Sequence, residues 1–132
     1  MSLPVVAFPD VEAAVVAHLA GALDAGVSVG TDWPENLAAS LPVVAVNRGG
    51  GATHTRFVLD EPTLDIDVLA GDKATAHDLV QRVRGLLFAA EGAALGSALI
   101  CRVQDTSLIW LPDPVTGIAR YVLVMALRVR PA

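Results

Sequence analysis

The chain has 132 residues, a formal net charge of −5 and an isoelectric point near 4.9. This length predicts one domain with a real hydrophobic core rather than two ordinary domains. Apolar residues make up 54% of the chain, yet no stretch reaches the roughly 18 uninterrupted apolar residues of a membrane span. The acidic charge, with lysines and arginines scattered along the chain, disfavours binding to nucleic acid through phosphates.

The mean hydropathy of +0.57 is high for a small domain, whose surface must largely face water. Alanine content explains part of this value, and buried subunit interfaces are expected to explain the rest. The apolar stretch from Leu3 to Phe8 lacks a basic region before it and is followed by Pro9 and Asp10, which argues against a signal peptide. Cys101 is the single cysteine, so no internal disulfide can form, and its strand pattern predicts a small buried thiol.

The first half of the chain predicts one helix and two strands. Asp10 is a candidate N-cap for a helix that ends at Gly26, with apolar residues at helical spacing between them. A short strand is predicted over 27–30, and a turn or short helical segment over 32–40. The stretch 41–48 predicts a strong strand because it is rich in valine. Its proline, Pro42, stands at the strand start, where a missing N–H is tolerated.

A glycine run, Gly49–Gly51, follows that strand. Together with the polar residues through His54 it predicts a mobile hairpin loop, over about 48–56, leading into a strand over 56–59. A phosphate cradle would need a helix after the glycines, usually with a lysine and a hydroxyl. Here the segment ATHTRFVL follows, which has a strand pattern, so a loop or docking arm is favoured over a phosphate site.

The middle of the chain predicts a half-solvated strand followed by the most secure helix. Over 63–70 the apolar residues alternate with Asp65 and Asp67, which indicates the wet face of an antiparallel strand rather than an acid–base pair. Gly71 and Asp72 then open a helix with one apolar stripe: Ala76, Leu79, Val80, Val83, Leu86, Leu87 and Ala90.

The C-terminal third predicts a strand over 98–106, a loop over 110–117 and a last strand over 119–130. That last strand is apolar on both faces. One face carries Tyr121, Leu123, Met125, Leu127 and Val129, and the other carries Val122, Val124 and Ala126. Successive strand side chains point to opposite faces, so one small core covers only one of these sets. The second set requires a helix or another subunit.

These elements predict a single α+β domain over residues 1–132 in the order α-β-β-β-α-β-β. We expect one mostly antiparallel sheet of four or five strands with two helices packed on one face. No internal repeat or low-complexity tail is present.

No catalytic, cofactor-binding or metal-binding constellation is recognisable in the sequence, and an enzyme is not expected. His18, His54 and His77 lie in three different elements and belong to no metal-binding motif. His18 borders an apolar helix stripe, which favours a packed neutral ring. None of the serines lies in a nucleophile elbow.

Trp110 precedes a turn that is stiffened by Pro112 and Pro114. Two interpretations stay open. Trp110 covers one end of the core, or it anchors a subunit contact, where tryptophan is favoured.

Four blocks of the chain together resemble one family: PDVEAAVVAHL, VVAVNRGGG, LDEPTLDIDVLAGDKATAHDLVQRVRGLL and WLPDPVTGIARYVLVMALRVR. Their order and the chain length are similar to the tail-terminator, or minor tail, proteins of long-tailed bacteriophages, especially those that infect actinobacteria. The resemblance implies a structural virion protein that forms a ring, most simply a hexamer. The ring would cap the tail tube, stop tail polymerisation and join head-completion proteins at the head-proximal end of the tail, with assembly in the host cytoplasm.

The implied partners are identical subunits, the tail tube protein and a head-completion protein. DNA would pass through the ring without specific binding, which suits the acidic charge, and no membrane is involved. Two alternatives stay open: a head–tail completion protein of the same virion region, and a small ligand-binding regulatory α+β domain. The candidate interface residues are Trp110, Val122, Val124 and Ala126, with Arg48, Gly50 and His54 from the glycine-rich loop.

Overall fold

A computed structural model describes residues 2–132 and contains three helices. They are α1 (Val11–Ala22), α2 (Leu37–Ser40) and α3 (Lys73–Ala89). The two long helices begin as the sequence predicts. The carboxylate of Asp10 accepts a hydrogen bond from the Ala13 amide at 3.1 Å, and Asp72 accepts one from the Thr75 amide at 2.8 Å. Both bonds satisfy amides that the first helical turn leaves without partners.

The remaining regular structure is one sheet of eight strands. These are β1 (Ser28–Gly30), β2 (Val43–Gly50), β3 (Thr53–Thr55), β4 (Leu59–Asp60), β5 (Thr63–Ala70), β6 (Ala94–Leu95), β7 (Ala98–Trp110) and β8 (Ala119–Pro131). β1 lies at one edge, followed by β2, β5, β8 and β7. The short strands β3 and β4 extend the sheet beside the end of β8, and β6 pairs with the start of β7.

The fold is α+β, but the predicted sheet was too small and too regular. β1 pairs with β2 in parallel, so the sheet is mixed, and it has eight strands and three helices rather than four or five strands and two helices. The missed strands β3, β4 and β6 have two or three residues each, which is too short for an alternating pattern to show in a sequence.

The main core lies between the two long helices and one face of the sheet, here called the inner face. α1 contributes Val11, Val15 and Leu19, and α3 contributes Ala76, Val80, Val83 and Leu87. The sheet contributes alternate residues of β2, β5, β7 and β8. Both long helices therefore pack on one face, as expected from their apolar stripes.

The glycine-rich segment differs from its predicted structure. β2 continues through Gly50, the next strand is Thr53–Thr55, and residues 56–58 form a turn instead of a strand. Gly49 forms a bulge between β2 and β5, where a side chain would overlap the carboxylate of Asp65. Gly51 has a φ of 88°, and a side chain there would overlap the carbonyl oxygen of Glu61. Close approach of the Glu61 backbone thus accounts for Gly51, and close approach of the Asp65 side chain accounts for Gly49. The mobility predicted for residues 48–56 stays a prediction.

Cys101 is a second correction, because its side chain is exposed rather than buried. The register between β7 and β8 shifts between Ile100 and Arg102, which makes Cys101 the extra residue of a bulge. A bulge interrupts the strict alternation of faces, and the sequence pattern gives no sign of it.

Replacing Gly51 with alanine is expected to destabilise the domain by about 1–3 kcal/mol, because the left-handed backbone and the Glu61 carbonyl both oppose a Cβ atom. Gly50→Ala is the matched control, since a Cβ atom at that position would have no neighbour within 4 Å, and its effect should stay within about 0.5 kcal/mol. Chemical denaturation of the two variants measures the difference. Equal free energies of unfolding for the Gly51→Ala and Gly50→Ala variants would contradict the close approach of Gly51 to Glu61.

Candidate functional site

The strand β8 lies near the middle of the sheet and has apolar residues on both faces. Its inner residues Tyr121, Leu123, Met125, Leu127 and Val129 are all buried against the helices. Val122, Val124 and Ala126 point to the opposite, outer face and are only partly buried. The sequence left two possible covers for these three residues, a helix or another subunit. The long helix α3 lies on the inner face and therefore does not cover them. Within the described chain, no helix covers these three residues.

The outer face continues this apolar character onto β7. Val122 is paired with Ile109 of β7 on one side and with Asp67 of β5 on the other. Ile109 is 49% exposed. Ser107 and Gln104 flank the next two β8 residues along β7. We call the resulting surface the outer strip; its residues are Ile109, Val122, Val124 and Ala126.

The other half of the outer face is covered by the segment 31–42, which contains α2. The indole Nε1 of Trp33 donates a hydrogen bond to Oδ2 of Asp67 at 3.0 Å. The guanidinium of Arg120 lies 5.3 Å from the centre of the Trp33 ring. At this end of the face, three apolar residues of the sheet are buried outside the main core: Val43, Ala45 and Leu69. The chain thus covers one end of its outer face and leaves the outer strip open.

Asp67 lies at the border between the covered and the open half. Burial raises the pKa of its carboxyl above the usual value, and the nearby charge of Asp65 adds to the increase. The hydrogen bond from Trp33 and the charge of Arg120 lower the pKa, but they do not outweigh the burial. The ionised carboxylate at this position is therefore less favourable than a carboxylate in water.

Trp110 lies on the inner face, away from the outer strip. It pairs with Tyr121 across the β7–β8 ladder, and the two ring centres are 5.1 Å apart. The ammonium of Lys73, at the start of α3, lies 4.6 Å from the centre of the Trp110 ring. This position places Trp110 over one end of the main core. Its proposed role as an interface anchor stays a prediction.

The other three candidates form a separate corner of the molecule. Arg48 is bound within the chain, because its guanidinium pairs with the buried Asp60 at 2.7 Å and its amide donates to Glu12 at 2.6 Å. Its charge-assisted hydrogen bonds raise the pKa of Arg48. Gly50 and His54 are exposed nearby. The structure therefore distributes the seven candidates over three surfaces: Trp110 on the inner face, Val122, Val124 and Ala126 on the outer face, and Arg48, Gly50 and His54 at this corner.

The tip of the β7–β8 hairpin is ordered by Asp113. Its carboxylate accepts hydrogen bonds from the Thr116 amide and hydroxyl, and these bonds lower the pKa of Asp113. Leu111 and Val115 are 49% and 90% exposed at this tip. Ile109 and Val115 were not predicted from the sequence as exposed apolar residues. For Ile109 the signal was available, because it lies one position before Trp110 and so points to the opposite face.

The three histidines stay apart in the structure. His18 lines a groove between α1 and the β6–β7 turn, and its Nε2 atom is buried without a hydrogen-bond partner. His54 and His77 are exposed. Among residues 2–132, no group of three His, Cys, Asp or Glu side chains could hold a metal ion. Over the same residues, no helix has the length and apolarity needed to cross a membrane.

The mixed sheet and its helices define a small α+β domain with a partly exposed apolar strip on its outer face. The family described as phage tail termination protein matches residues 7–97. The chain therefore belongs to this family of structural phage tail proteins, and it is a virion protein associated with the tail. The matched residues end before β7, so the hairpin that carries the outer strip lies outside the match.

No curated protein matches the sequence. Among solved structures, the chain is similar to one from the virion of a native gene transfer agent particle, with a TM-score of 0.63 and 18% identical residues. The similarity covers 90% of this chain and 93% of that chain. At this identity the similarity shows the fold alone.

Replacing Asp67 with asparagine is expected to stabilise the domain near neutral pH. Because the folded-state pKa of Asp67 is raised, the folded protein binds this proton more tightly than the unfolded chain. Stability contributed by the carboxyl is therefore present at low pH and lost as the pH rises through the folded pKa. The asparagine keeps an oxygen acceptor for Trp33 and carries no charge.

The difference in melting temperature between Asp67→Asn and wild type should thus be positive at about pH 7 and disappear at about pH 3, where the aspartate is protonated. Asp24→Asn provides the control for removing one charge from an exposed position away from Asp67. A melting-temperature difference that persists unchanged at low pH would contradict the assignment.

Replacing Trp110 with alanine distinguishes the two roles considered for it. Since the ring packs on Tyr121 and Lys73, we expect Trp110→Ala to lower the free energy of unfolding by about 2–4 kcal/mol. Denaturation and sedimentation of the same samples check this. If assembly is lost while the free energy of unfolding stays unchanged, Trp110 is an interface anchor and not a cover for the core.

Proposed function

We propose that this protein forms a homo-oligomeric ring, most simply a hexamer, that caps the tail tube. The ring stops further addition of the tail tube protein and presents a surface to head-completion proteins at the head-proximal end of the tail. DNA passes through it without specific binding. The protein works by assembly and carries out no reaction.

The observation that carries this proposal is the open outer strip. A valine or isoleucine gains about 1.5–3 kcal/mol when it moves from water into a packed contact. Three such residues, together with Ala126, lie in adjacent register positions and favour a contact with another protein surface. Family membership supports a structural tail role, and the strip supplies a surface through which subunits can associate.

The uneven cover of the outer face also supports association between identical subunits. The segment 31–42 shows that apolar residues on this face are buried when chain is available to cover them. A second copy supplies such a cover without a further domain. A groove beside α1 is lined mainly by small residues, with His18 as one of few polar groups. A small-molecule site normally has several converging polar groups, so this groove does not favour a ligand-binding domain.

The ring is tested by measuring the mass of the purified protein in solution and imaging it by electron microscopy, alone and with the purified tail tube. We expect rings that bind one end of the tube. A protein that stays monomeric under both conditions would contradict the proposal. Rings that bind head-completion proteins but not the tube would support the alternative of a head–tail completion protein.

Replacing Val124 with aspartate should weaken assembly at least tenfold, because association would have to bury a charge at the centre of the outer strip. Val124 lies outside the main core, but the new carboxylate would face Asp65 on β5, so the monomer should lose about 0.2–1 kcal/mol of stability. Val5→Asp is the matched control, with the same chemical change at a side chain that is 98% exposed. Unchanged assembly of Val124→Asp, measured by sedimentation over a dilution series, would exclude the outer strip as the interface.

A further inference from the structure

Three arginines lie together at one end of the outer face. Arg102 of β7 and Arg128 of β8 are directly opposite each other across the ladder. Arg130 is two residues further along β8 and points to the same face, about 7 Å away along the strand. We call this group the basic corner. It stands out because the protein as a whole has a net charge of −5.

The charges of the basic corner are not balanced within the described chain. Glu61 is the one carboxylate bound there, and it pairs with Nε of Arg128 at 2.9 Å. Neither Arg102 nor Arg130 forms an ion pair among residues 2–132. Like charges directly opposite each other on neighbouring strands are destabilising. The isolated subunit thus retains an unfavourable arrangement that an added anionic group would relieve.

The six other cationic side chains all have partners in the chain. Arg48, Arg84 and Arg120 form ion pairs. Arg82 donates a hydrogen bond to a backbone carbonyl. Arg56 and Lys73 lie over aromatic rings. Arg102 and Arg130 are therefore the two cationic side chains without such a partner among residues 2–132, and they lie at one place. A small pocket forms there between Glu61, Arg102, Gln104 and Arg128, with guanidinium groups that suit a carboxylate ligand.

A complementary group lies at the opposite end of the same face. Asp32 and Glu35 are exposed on the segment 31–42, and neither forms an ion pair in the described structure. This segment packs over the end of the sheet that holds Arg120, through Trp33. The basic corner lies at the other end of β8. We call Asp32 and Glu35 the acidic corner.

We propose that the basic corner of one subunit binds the acidic corner of the next copy of the chain. This inference rests on the proposed ring, and it names the surfaces that join its subunits. A ring of identical subunits needs a head-to-tail contact between two different, complementary patches. The outer face offers such a pair at its two ends, with the outer strip between them. The charged corners would set the direction and register of the contact.

The test uses two charge-reversed variants of the full chain. The first carries Arg102→Glu and Arg130→Glu, and the second carries Asp32→Arg and Glu35→Arg. Each variant alone brings like charges together at every subunit contact, so each should assemble at least tenfold more weakly than wild type. When the two are mixed in equal amounts, an alternating ring has complementary charges at every contact. Assembly of the mixture should recover to within about threefold of wild type.

Two controls accompany this experiment. Arg82→Glu and Asp24→Arg reverse exposed charges outside both corners and should leave assembly unchanged. Melting temperatures establish that each variant folds, and Arg102→Gln with Arg130→Gln replaces any reversed pair that does not fold. Wild-type assembly should also weaken with added salt between about 0.05 and 0.5 M, because exposed charge pairs are screened.

The outcomes separate this inference from the proposed function. Wild-type rings that are insensitive to both reversals, or a mixture that assembles no better than its components, would overturn the corner contact and leave the ring proposal standing. A wild-type protein that forms no ring under any condition, with or without the tail tube, would overturn both. If each variant assembles weakly by itself and the mixture assembles well, the contact is supported, because mixing does not reverse a structural defect caused by the substitutions.

Discussion

The central constraint in this molecule is that β8 is apolar on both faces while the helices cover only one of them. The inner residues of β8 are at most 9% exposed, and they hold α1 and α3 against the sheet. Neighbouring strands fix the register of β8 along nearly its whole length, with β5 on one side and β7 on the other. A one-residue slip would move Leu123 and Met125 to the outer face and charged Arg120 into the core. The same register that secures the core therefore fixes the outer strip in place.

The two halves of the outer face differ in how their apolar residues are covered. At one end, the segment 31–42 buries valine, alanine and leucine side chains, and Trp33 secures it through Asp67. This cover keeps the carboxylate of Asp67 partly out of water, which disfavours its charged form. The raised pKa of Asp67 reflects this desolvation. At the other end no segment of the described chain is in place. The face is thus partly a second small core and partly an exposed surface.

The sequence predicts those features that depend on local pattern. The caps Asp10 and Asp72, the stripe of α3 and the two apolar faces of the last strand all follow from residue spacing, and the structure confirms them. The features it does not predict depend on contacts between distant residues. The bulge at Cys101 arises from the pairing of β7 with β8, and the role of Gly51 arises from the close approach of Glu61. Neither leaves a periodic signal within its own segment.

The candidate site divides in the same way. The sequence shows that β8 has a second apolar face that needs a cover. It does not show which residues of other strands lie beside that face, because Ile109 and Val122 are brought together only by the pairing of β7 with β8. The separation of Trp110 from the outer strip is likewise a matter of register, since it is paired with the inner-face residue Tyr121. Adjacent positions in a strand, such as 109 and 110, therefore serve different surfaces.

The modest size of the outer strip has a physical consequence for assembly. Its side chains are partly buried by their neighbours, and the residues around it are acidic, basic or small and polar. The net charge of −5 opposes non-specific association between subunits that carry such a surface. Apolar burial from a strip of this size gives little directional preference by itself, since the hydrophobic effect is non-directional. Direction must then come from charged groups, and on this face those groups are the basic corner on β7 and β8 and the acidic corner on the segment 31–42.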